Sequence, residues 1–171
     1  QDMKETVSKY AETISQILEV SVVVVDTKLE RVGNTYQYPH KPTPIRRNSI
    51  IGQVITKGEP MAVDSIESCS ICRDCPNFHE CDIKGVIAVP ILLGEEIIGA
   101  FCLIVPQSRN ILFRNLKSSI AFLENMAELL SEKISSAKRY EDLSAIRRDR
   151  ELIMDVIEDA IVSTDRRGAI D

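Results

Sequence analysis

A chain of 171 residues with 44% hydrophobic and 27% charged side chains has the composition of a globular protein, and it is long enough for one domain plus an appendage. The net charge of −5 and the pI of about 5.2 exclude the basic surface of a nucleic-acid-binding domain, and the apolar runs are too short to cross a bilayer. We therefore expect a cytoplasmic protein that contacts neither nucleic acid nor membrane. Neither end looks natural, so we also expect a fragment of a longer chain.

The N-terminal part of the chain predicts one helix and two strands. Apolar residues recur every three or four positions over residues 3–18, which is the period of an amphipathic helix. The β-branched run at residues 20–25 predicts a buried strand, and a shorter strand resumes at residues 31–32. Three prolines then make residues 37–47 an irregular loop.

A second helix and a third strand follow this proline-rich loop. We expect Asn48 to cap a helix over residues 49–57 and Gly58 to end it, because asparagine favours N-caps and glycine readily adopts the left-handed conformation after a last turn. Residues 61–63 are apolar and predict a short strand. A cysteine-rich segment follows this strand directly.

The segment of residues 66–84, which we call the cysteine loop, contains four of the five cysteines: Cys69, Cys72, Cys75 and Cys81. A loop of this length without periodic structure is uncommon in a compact domain unless it has a function. Four thiolates in the pattern C-x2-C-x2-C-x5-C predict a metal site, because such soft ligands select zinc, cuprous copper or iron–sulfur clusters. The fifth cysteine, Cys102, lies in an apolar run and is expected to be a buried core residue.

The spacing of the cysteines favours an iron–sulfur cluster. Three cysteines at intervals of three resemble the run C-x2-C-x2-C-x3-C-P of ferredoxins, whereas zinc sites usually combine two separated C-x2-C pairs. The alternatives are a structural zinc with His79 as a spare ligand, a pair of disulfides, and a set of free thiols. Disulfides are disfavoured in a cytosolic chain. The preferred interpretation is a 4Fe–4S cluster.

The rest of the sequence predicts a hairpin and a long helix. Residues 86–92 and 97–105 are apolar strands joined by a turn at Gly94. Apolar residues then recur at three and four positions from residue 113 onward, which predicts a long helix. Since no strand is left for residues 136–157 to cover, we expect this part to form a parallel coiled coil between two copies of the chain.

Residues 85–100, with the sequence G-V-I-A-V-P-I-L-L-G-E-E-I-I-G-A, carry a family resemblance. They resemble the end of a GAF domain, in which a strand with the pattern x-P-I turns at a glycine and returns as V-I-G. The resemblance implies an α+β fold over residues 1–135, with a GAF-type antiparallel sheet flanked by helices and a long C-terminal coiled-coil signalling helix. The N-K-F-D-E signature of cyclic-nucleotide-binding GAF domains is absent, so we expect neither cAMP nor cGMP as a ligand.

The last residues resemble the beginning of a second sensory domain. Asp165 followed by a turn at Gly168 is similar to the first strand of a PAS domain. We therefore interpret residues 158–171 as the start of a truncated PAS domain, which a linker helix at residues 136–157 joins to the first domain. A GAF domain with a cysteine cluster, followed by a PAS domain, is similar to the N-terminal sensory region of sigma-54-dependent transcriptional activators.

This resemblance implies a regulatory sensor that detects redox state, oxygen or nitric oxide through its cluster. It also implies a homodimer through the C-terminal helix and a downstream output domain in the same chain. The alternative is a GAF module that binds a small molecule and holds a structural zinc, in a transcription regulator or a histidine kinase. We do not expect an enzyme, because the sequence has no nucleophile–base pair, no P-loop and no glycine-rich dinucleotide turn.

Overall fold

The computed structural model describes residues 3–38 and 42–136 of the chain. The predicted coiled coil at residues 136–157, apart from its first residue, and the predicted PAS segment at residues 158–171 lie outside the described residues. Among the helices described, none is both long and apolar enough to cross a membrane.

The sheet and the helical residues up to Glu132 belong to one compact unit, Gln1–Glu132. The described strands are β1 (Ser21–Asp26), β2 (Arg31–Asn34), β3 (Met61–Val63), β4 (Gly85–Leu93) and β5 (Glu96–Val105). The described helices are α1 (Met3–Leu18), α2 (Ile50–Lys57), α3 (Ser70–Arg73), α4 (Ile111–Arg114) and, over residues 116–136, α5. Every predicted strand is present, with ends that differ from the prediction by one or two residues at most.

The five strands form one antiparallel sheet in the order β2-β1-β5-β4-β3. The predicted hairpin of β4 and β5 turns at Gly94, whose φ of +65° is a conformation that glycine adopts without strain. β1 pairs with β5, so that Val24 lies opposite Phe101, and β3 pairs with β4 at the edge. The three central strands are buried over most of their length, which explains why their sequences are apolar throughout and do not alternate. The predicted α+β architecture is confirmed.

Helices α1 and α5 lie along one face of the sheet. Val7 of α1 reaches Gly33 of β2, and α1 also contacts β1. On α5, the hydroxyl of Ser131 donates a hydrogen bond to the backbone carbonyl of Leu92 in β4. The predicted apolar stripe of this helix is confirmed, since three of its residues are buried: Leu123, Ala127 and Leu130.

The opposite face of the sheet carries α2 and the cysteine loop. Buried side chains from α2 and the central strands form one apolar cluster, which we call the inner cluster: Val23, Val25, Ile50, Val54, Ile55, Val86, Ala88, Ala100, Cys102 and Ile104. Cys69 and Cys72 of the cysteine loop pack against this cluster together with Ile83. The loop therefore rests on the face that α1 and α5 leave free.

The cap of α2 differs from the prediction. Ser49, and not Asn48, is the N-cap: its hydroxyl accepts a hydrogen bond of 3.1 Å from the backbone N–H of Gly52. Both residue types suit an N-cap, and the choice is made by the preceding turn, which the backbone N–H of Ser49 closes on the Arg46 carbonyl at 3.0 Å. The predicted C-cap is confirmed, since Gly58 has a φ of +69°.

Ser49→Ala is expected to lower the free energy of unfolding by about 1 kcal/mol, because the N–H of Gly52 loses its partner. Asn48→Ala is the matched control, and it should change this free energy by less than about 0.5 kcal/mol. Urea unfolding of the two variants makes the comparison. Equal losses, or a larger loss for Asn48→Ala, would contradict the assignment of the cap.

The helix predicted to run unbroken from residue 113 is interrupted. Asn115 leaves the helical conformation, with φ −111° and ψ 46°, between α4 and α5. The Ser119 hydroxyl donates a hydrogen bond of 2.8 Å to the Leu112 carbonyl, so this end of α4 keeps a partner for its backbone. The separate α4 packs its Phe113 ring against Gly85 at the beginning of β4.

Candidate metal centre

The cysteine loop folds into consecutive short turns whose step matches the spacing of its cysteines. Three of its cysteines donate a backbone hydrogen bond to the carbonyl three residues earlier: Cys69 to Ile66, Cys75 to Cys72, and Cys81 to Phe78. Cys69 is also the N-cap of α3, and Cys72 lies within that helix. Residues three apart on a helical turn lie on the same side of the backbone, so the C-x2-C-x2-C run brings its side chains together. The loop is thus more regular than the sequence predicted.

Cys72 is close enough to the other three predicted ligands to interact with each of them electrostatically. The thiols of Cys69, Cys81 and Cys75 are near enough to disfavour the charged form of its own thiol. Burial, together with these neighbours, raises the pKa of Cys72 to about 12. Burial also raises the pKa of Cys81, although a backbone hydrogen bond at Ile83 acts in the opposite direction. A metal ion would reverse this preference, because it stabilises coordinated thiolates.

The four thiols differ in their exposure to solvent. Cys69, Cys72 and Cys81 are half-buried, and Cys75 is exposed. Because Cys69 and Cys72 face the inner cluster, a metal bound by the four would have one side on the core and one side toward water. Small solutes would reach the outer side without any opening of the fold.

Within residues 3–38 and 42–136, no three histidine, cysteine, aspartate or glutamate side chains stand in an arrangement that holds a metal ion. The four thiols are therefore neighbours that do not form a closed coordination sphere. In loops of this kind the metal itself supplies free energy that draws the ligands together. The donor set of four soft thiols fits an iron–sulfur cluster and also fits zinc. His79, the spare zinc ligand of the alternative, packs edge-on against the Phe78 ring, with centroids 5.4 Å apart.

Three polar contacts tie the cysteine loop to the segment before α2. They join Tyr36 to the carboxylate of Asp82, Arg46 to the backbone carbonyl of Asp74 at 3.4 Å, and Asn77 to the hydroxyl of Thr43 at 2.9 Å. The partners lie between 28 and 46 positions apart in the chain. No local pattern signals pairs at that distance, and the sequence did not predict them. Burial and the hydrogen bond with Asp82 raise the pKa of Tyr36. The Tyr36 hydroxyl therefore stays protonated and donates its hydrogen bond to the Asp82 carboxylate.

The base of the cysteine loop connects it to α4. The carbonyl of Lys84 accepts a hydrogen bond of 3.4 Å from the backbone N–H of Ile66, which closes the base. The next residue, Gly85, lies so close to Phe113 that a side chain here would come within 2.7 Å of the ring. A movement at the base of the loop would therefore push Gly85 against Phe113 and displace α4, which leads directly into α5.

A cleft of about 750 Å³ opens beside the cysteine loop. Its lining mixes acidic and basic side chains with one predicted ligand: Asp64, Glu67, Arg73, His79, Lys84 and Cys81. A smaller cavity of about 440 Å³ lies beside the pair of Tyr36 and Asp82. The cleft gives solutes access to the Cys81 side of the loop.

Cys102 behaves as the sequence predicted. It lies in β5, is 1% exposed and belongs to the inner cluster. Burial alone raises its pKa to about 12, so this thiol stays neutral and packs as a small apolar side chain.

Residues 2–134 match the family model of the GAF domain, and the chain belongs to this family, whose members are generally sensory domains. The predicted GAF-type fold is thereby confirmed. A search of the curated proteins gave no match.

Solved structures share this fold at low sequence identity. The GAF domain of A. aeolicus nlh2 in an inactive state has a TM-score of 0.61 and 16% identity, over 77% of this chain and 86% of that chain. Residues 122 to 287 of a methyl-accepting chemotaxis protein have a TM-score of 0.57 and 19% identity, over 80% and 93%. The free methionine-R-sulfoxide reductase of Neisseria meningitidis has a TM-score of 0.56 and 18% identity, over 81% of both chains. Since this last relative is an enzyme, the fold by itself does not decide between sensing and catalysis.

Proposed function

We propose that this chain is the sensory region of a transcriptional activator, in which four cysteines bind a 4Fe–4S cluster: Cys69, Cys72, Cys75 and Cys81. The observation that carries the proposal is the packing of Cys69 and Cys72 side by side on the inner cluster, where the Cys72 thiol also interacts electrostatically with Cys75 and Cys81. The signal would be redox state, oxygen or nitric oxide. A cytoplasmic location is part of the proposal, since reducing conditions keep thiols free to bind metal.

The protein's own residues would control how the metal centre meets its signal. When bound, a 4Fe–4S cluster supplies a centre whose reduction potential depends on hydrogen bonds and solvent exposure. Cys69 and Cys72 would hold its inner side against the inner cluster, and the exposed Cys75 would hold its outer side. Oxygen and nitric oxide are small and uncharged, so they would reach the outer side directly.

A chain of contacts offers a route for the signal from the cysteine loop to α5. Cys81 lies shortly before Lys84, whose carbonyl closes the base of the loop. Loss of the metal would release this base, and Gly85 would then move against Phe113 of α4. In the proposed activator, a PAS domain and an output domain follow α5 in the sequence of the same chain.

The proposal is tested on protein purified without oxygen, by visible absorption and by analysis for metal and sulfide. We expect a brown protein with about four irons and about four sulfides per chain. A colourless protein with one zinc would overturn the cluster and leave the zinc alternative. A chain that binds neither iron nor zinc would overturn both. Air exposure of the brown protein would then show whether its absorption responds to oxygen.

The second candidate is a GAF module that binds a small molecule and uses the cysteines for a structural zinc, in a transcription regulator or a histidine kinase. The polar cleft of about 750 Å³ beside the loop favours it, because its size suits a metabolite and its lining offers both charges. Metal analysis separates this candidate from the first, since zinc thiolate sites carry no visible colour.

We also propose a homodimer through the C-terminal helix. Phe122 and Leu129 are seven residues apart on α5, and both are exposed, at 37% and 46%. Residues at this spacing share one face of a helix, and they would form an apolar seam for a second copy of the chain. The buried stripe of α5 already covers the sheet, so this seam is free for a partner.

Leu129→Glu is expected to weaken the dimer by at least about tenfold in Kd, because a carboxylate would have to be buried in the seam. Ile111→Glu is the matched control: Ile111 is 47% exposed but lies on α4, away from the seam. Sedimentation equilibrium of both variants measures the effect. A dimer that withstands Leu129→Glu, or that responds equally to both changes, would contradict an interface on α5.

A further inference from the structure

Two of the four cysteines form a pair of their own. Cys69 is the N-cap of α3, and Cys72 is the third residue of that helix. Side chains at the N-cap and at the third helical position face each other, as they do in a capping box. Here the two facing groups are the thiols of Cys69 and Cys72.

The other two cysteines are placed differently. Cys75 is exposed and follows the end of α3. Cys81 lies beyond the next turn, beside the carboxylate of Asp82. Among the four, Cys69 and Cys72 are the ones that pack against the inner cluster, which holds both sulfurs on the same side of the loop. The fold therefore selects one pair from a symmetrical C-x2-C-x2-C run.

We infer that Cys69 and Cys72 close as a disulfide when the chain carries no metal and meets a two-electron oxidant of the hydroperoxide class. One thiolate attacks an oxygen of hydrogen peroxide, whose O–O bond breaks, so that a sulfenic acid and one water form after proton transfer. The other thiol attacks the sulfenic sulfur, the S–S bond forms, and the oxygen leaves as a second water. Two thiols and one peroxide thus give one disulfide and two waters, with two electrons passing from sulfur to oxygen. Cys75 and Cys81 remain thiols.

The disulfide would regulate the metal centre by removing two of its four ligands. This consequence rests on the proposed function, whereas the formation of the bond does not. Metal would bind again only after a reductant reopens the pair. The bond also protects both sulfurs from irreversible oxidation to sulfinic acids, because a disulfide is reversible and a sulfinic acid is not.

The positions of lysine and arginine make the bond simple to map. Trypsin cleaves after Lys57, Arg73 and Lys84, so Cys69 and Cys72 fall in the peptide 58–73, and the other two cysteines of the loop fall in the peptide 74–84. The chain is reduced, freed of metal with a chelator, treated with hydrogen peroxide and then labelled with N-ethylmaleimide. We expect peptide 58–73 to be unlabelled and lighter by two hydrogens, and peptide 74–84 to carry label on both cysteines. A bond within 74–84, a link between the two peptides, or label on all four cysteines would overturn the inference.

The same reaction in urea shows whether the fold selects the pair. Cys69–Cys72 and Cys72–Cys75 enclose loops of equal length, so their yields in the unfolded chain should have a ratio of about one. In buffer we expect at least about a threefold excess of Cys69–Cys72, because packing against the inner cluster holds these two thiols close together before they react. Equal yields in buffer would mean that the fold does not select it. Cys75→Ser should keep the bond and Cys72→Ser should lose it, with circular dichroism to verify that both variants fold.

Zinc ion serves as a probe that separates this inference from the proposed metal site. The reduced chain should bind Zn²⁺, and the oxidised chain should bind it only after dithiothreitol is added. If the oxidised chain binds zinc as well as the reduced chain does, the regulation by ligand removal is wrong. If neither form binds zinc, the proposed metal site is wrong, and the mapped disulfide by itself decides the inference.

Discussion

Cys72→Ser is expected to abolish the iron–sulfur cluster, and with it the visible absorption of protein purified without oxygen. Serine has nearly the shape of cysteine, but its hydroxyl does not replace the soft thiolate that iron and sulfide clusters select. Cys72 is chosen for this test because its thiol interacts electrostatically with each of the other three. We expect the iron content per chain to fall by at least about tenfold, since changes even in the outer shell of metal sites cost that much.

Cys102→Ala is the matched control for this experiment. Cys102 carries the same thiol but lies in the inner cluster, with 1% of its surface exposed. The variant should keep its full iron content and lose only about 1 kcal/mol of stability. A brown Cys72→Ser protein with unchanged iron would contradict the ligand assignment. Loss of iron in both variants would indicate a general loss of structure instead.

Leu103→Ala is expected to lower the free energy of unfolding by about 3 kcal/mol. Leu103 lies in β5, a central strand of the sheet, and is 1% exposed. Truncation removes apolar surface from the core and leaves a cavity that the neighbouring strands cannot fill. A loss of this size is a large part of the roughly 5–15 kcal/mol that stabilises a typical domain, so the Tm should fall by roughly 10 °C.

Leu92→Ala provides the comparison for Leu103→Ala. It is the same substitution on the paired strand β4, but Leu92 is 43% exposed, so we expect a loss of less than about 1 kcal/mol. Urea unfolding followed by circular dichroism gives both values. Similar losses for the two variants would contradict the assignment of Leu103 to the core.

The strands show how far local sequence predicts this fold. β1, β4 and β5 are continuous apolar runs, and such runs predict buried strands wherever they pack. The order of these strands in the sheet, in contrast, is not predicted by local sequence. Nothing in the run at β1 specifies that it pairs with β5, because antiparallel pairing of distant strands depends on which edges meet when the core forms.

Adjacent residues of similar propensity show a second limit. Asn48 and Ser49 both suit an N-cap, and the sequence pattern favoured the first. The turn closed on Arg46 places Ser49 at the start of α2. Likewise, the apolar spacing predicted one helix from residue 113, whereas the Phe113 contact with Gly85 accompanies a separate α4. In both cases the local pattern correctly predicted a helix but placed its beginning wrongly.

The sequence by itself determined the kind of domain, and it supplied the donor set on which the predicted metal site rests. Four thiols at C-x2-C-x2-C-x5-C predict a soft-metal site from ligand type and spacing, and the pattern at residues 85–100 predicted the GAF fold that residues 2–134 match. The tertiary structure decided that Cys69 and Cys72 form the inner pair, that Tyr36 holds Asp82, and that the base of the loop touches α4. The physical reason is the distance along the chain over which each effect acts. Propensity, periodicity and ligand spacing act over a few residues. The packing of the loop on the inner cluster, on Tyr36 and on α4 joins distant segments, which meet only when the sheet is covered on both faces.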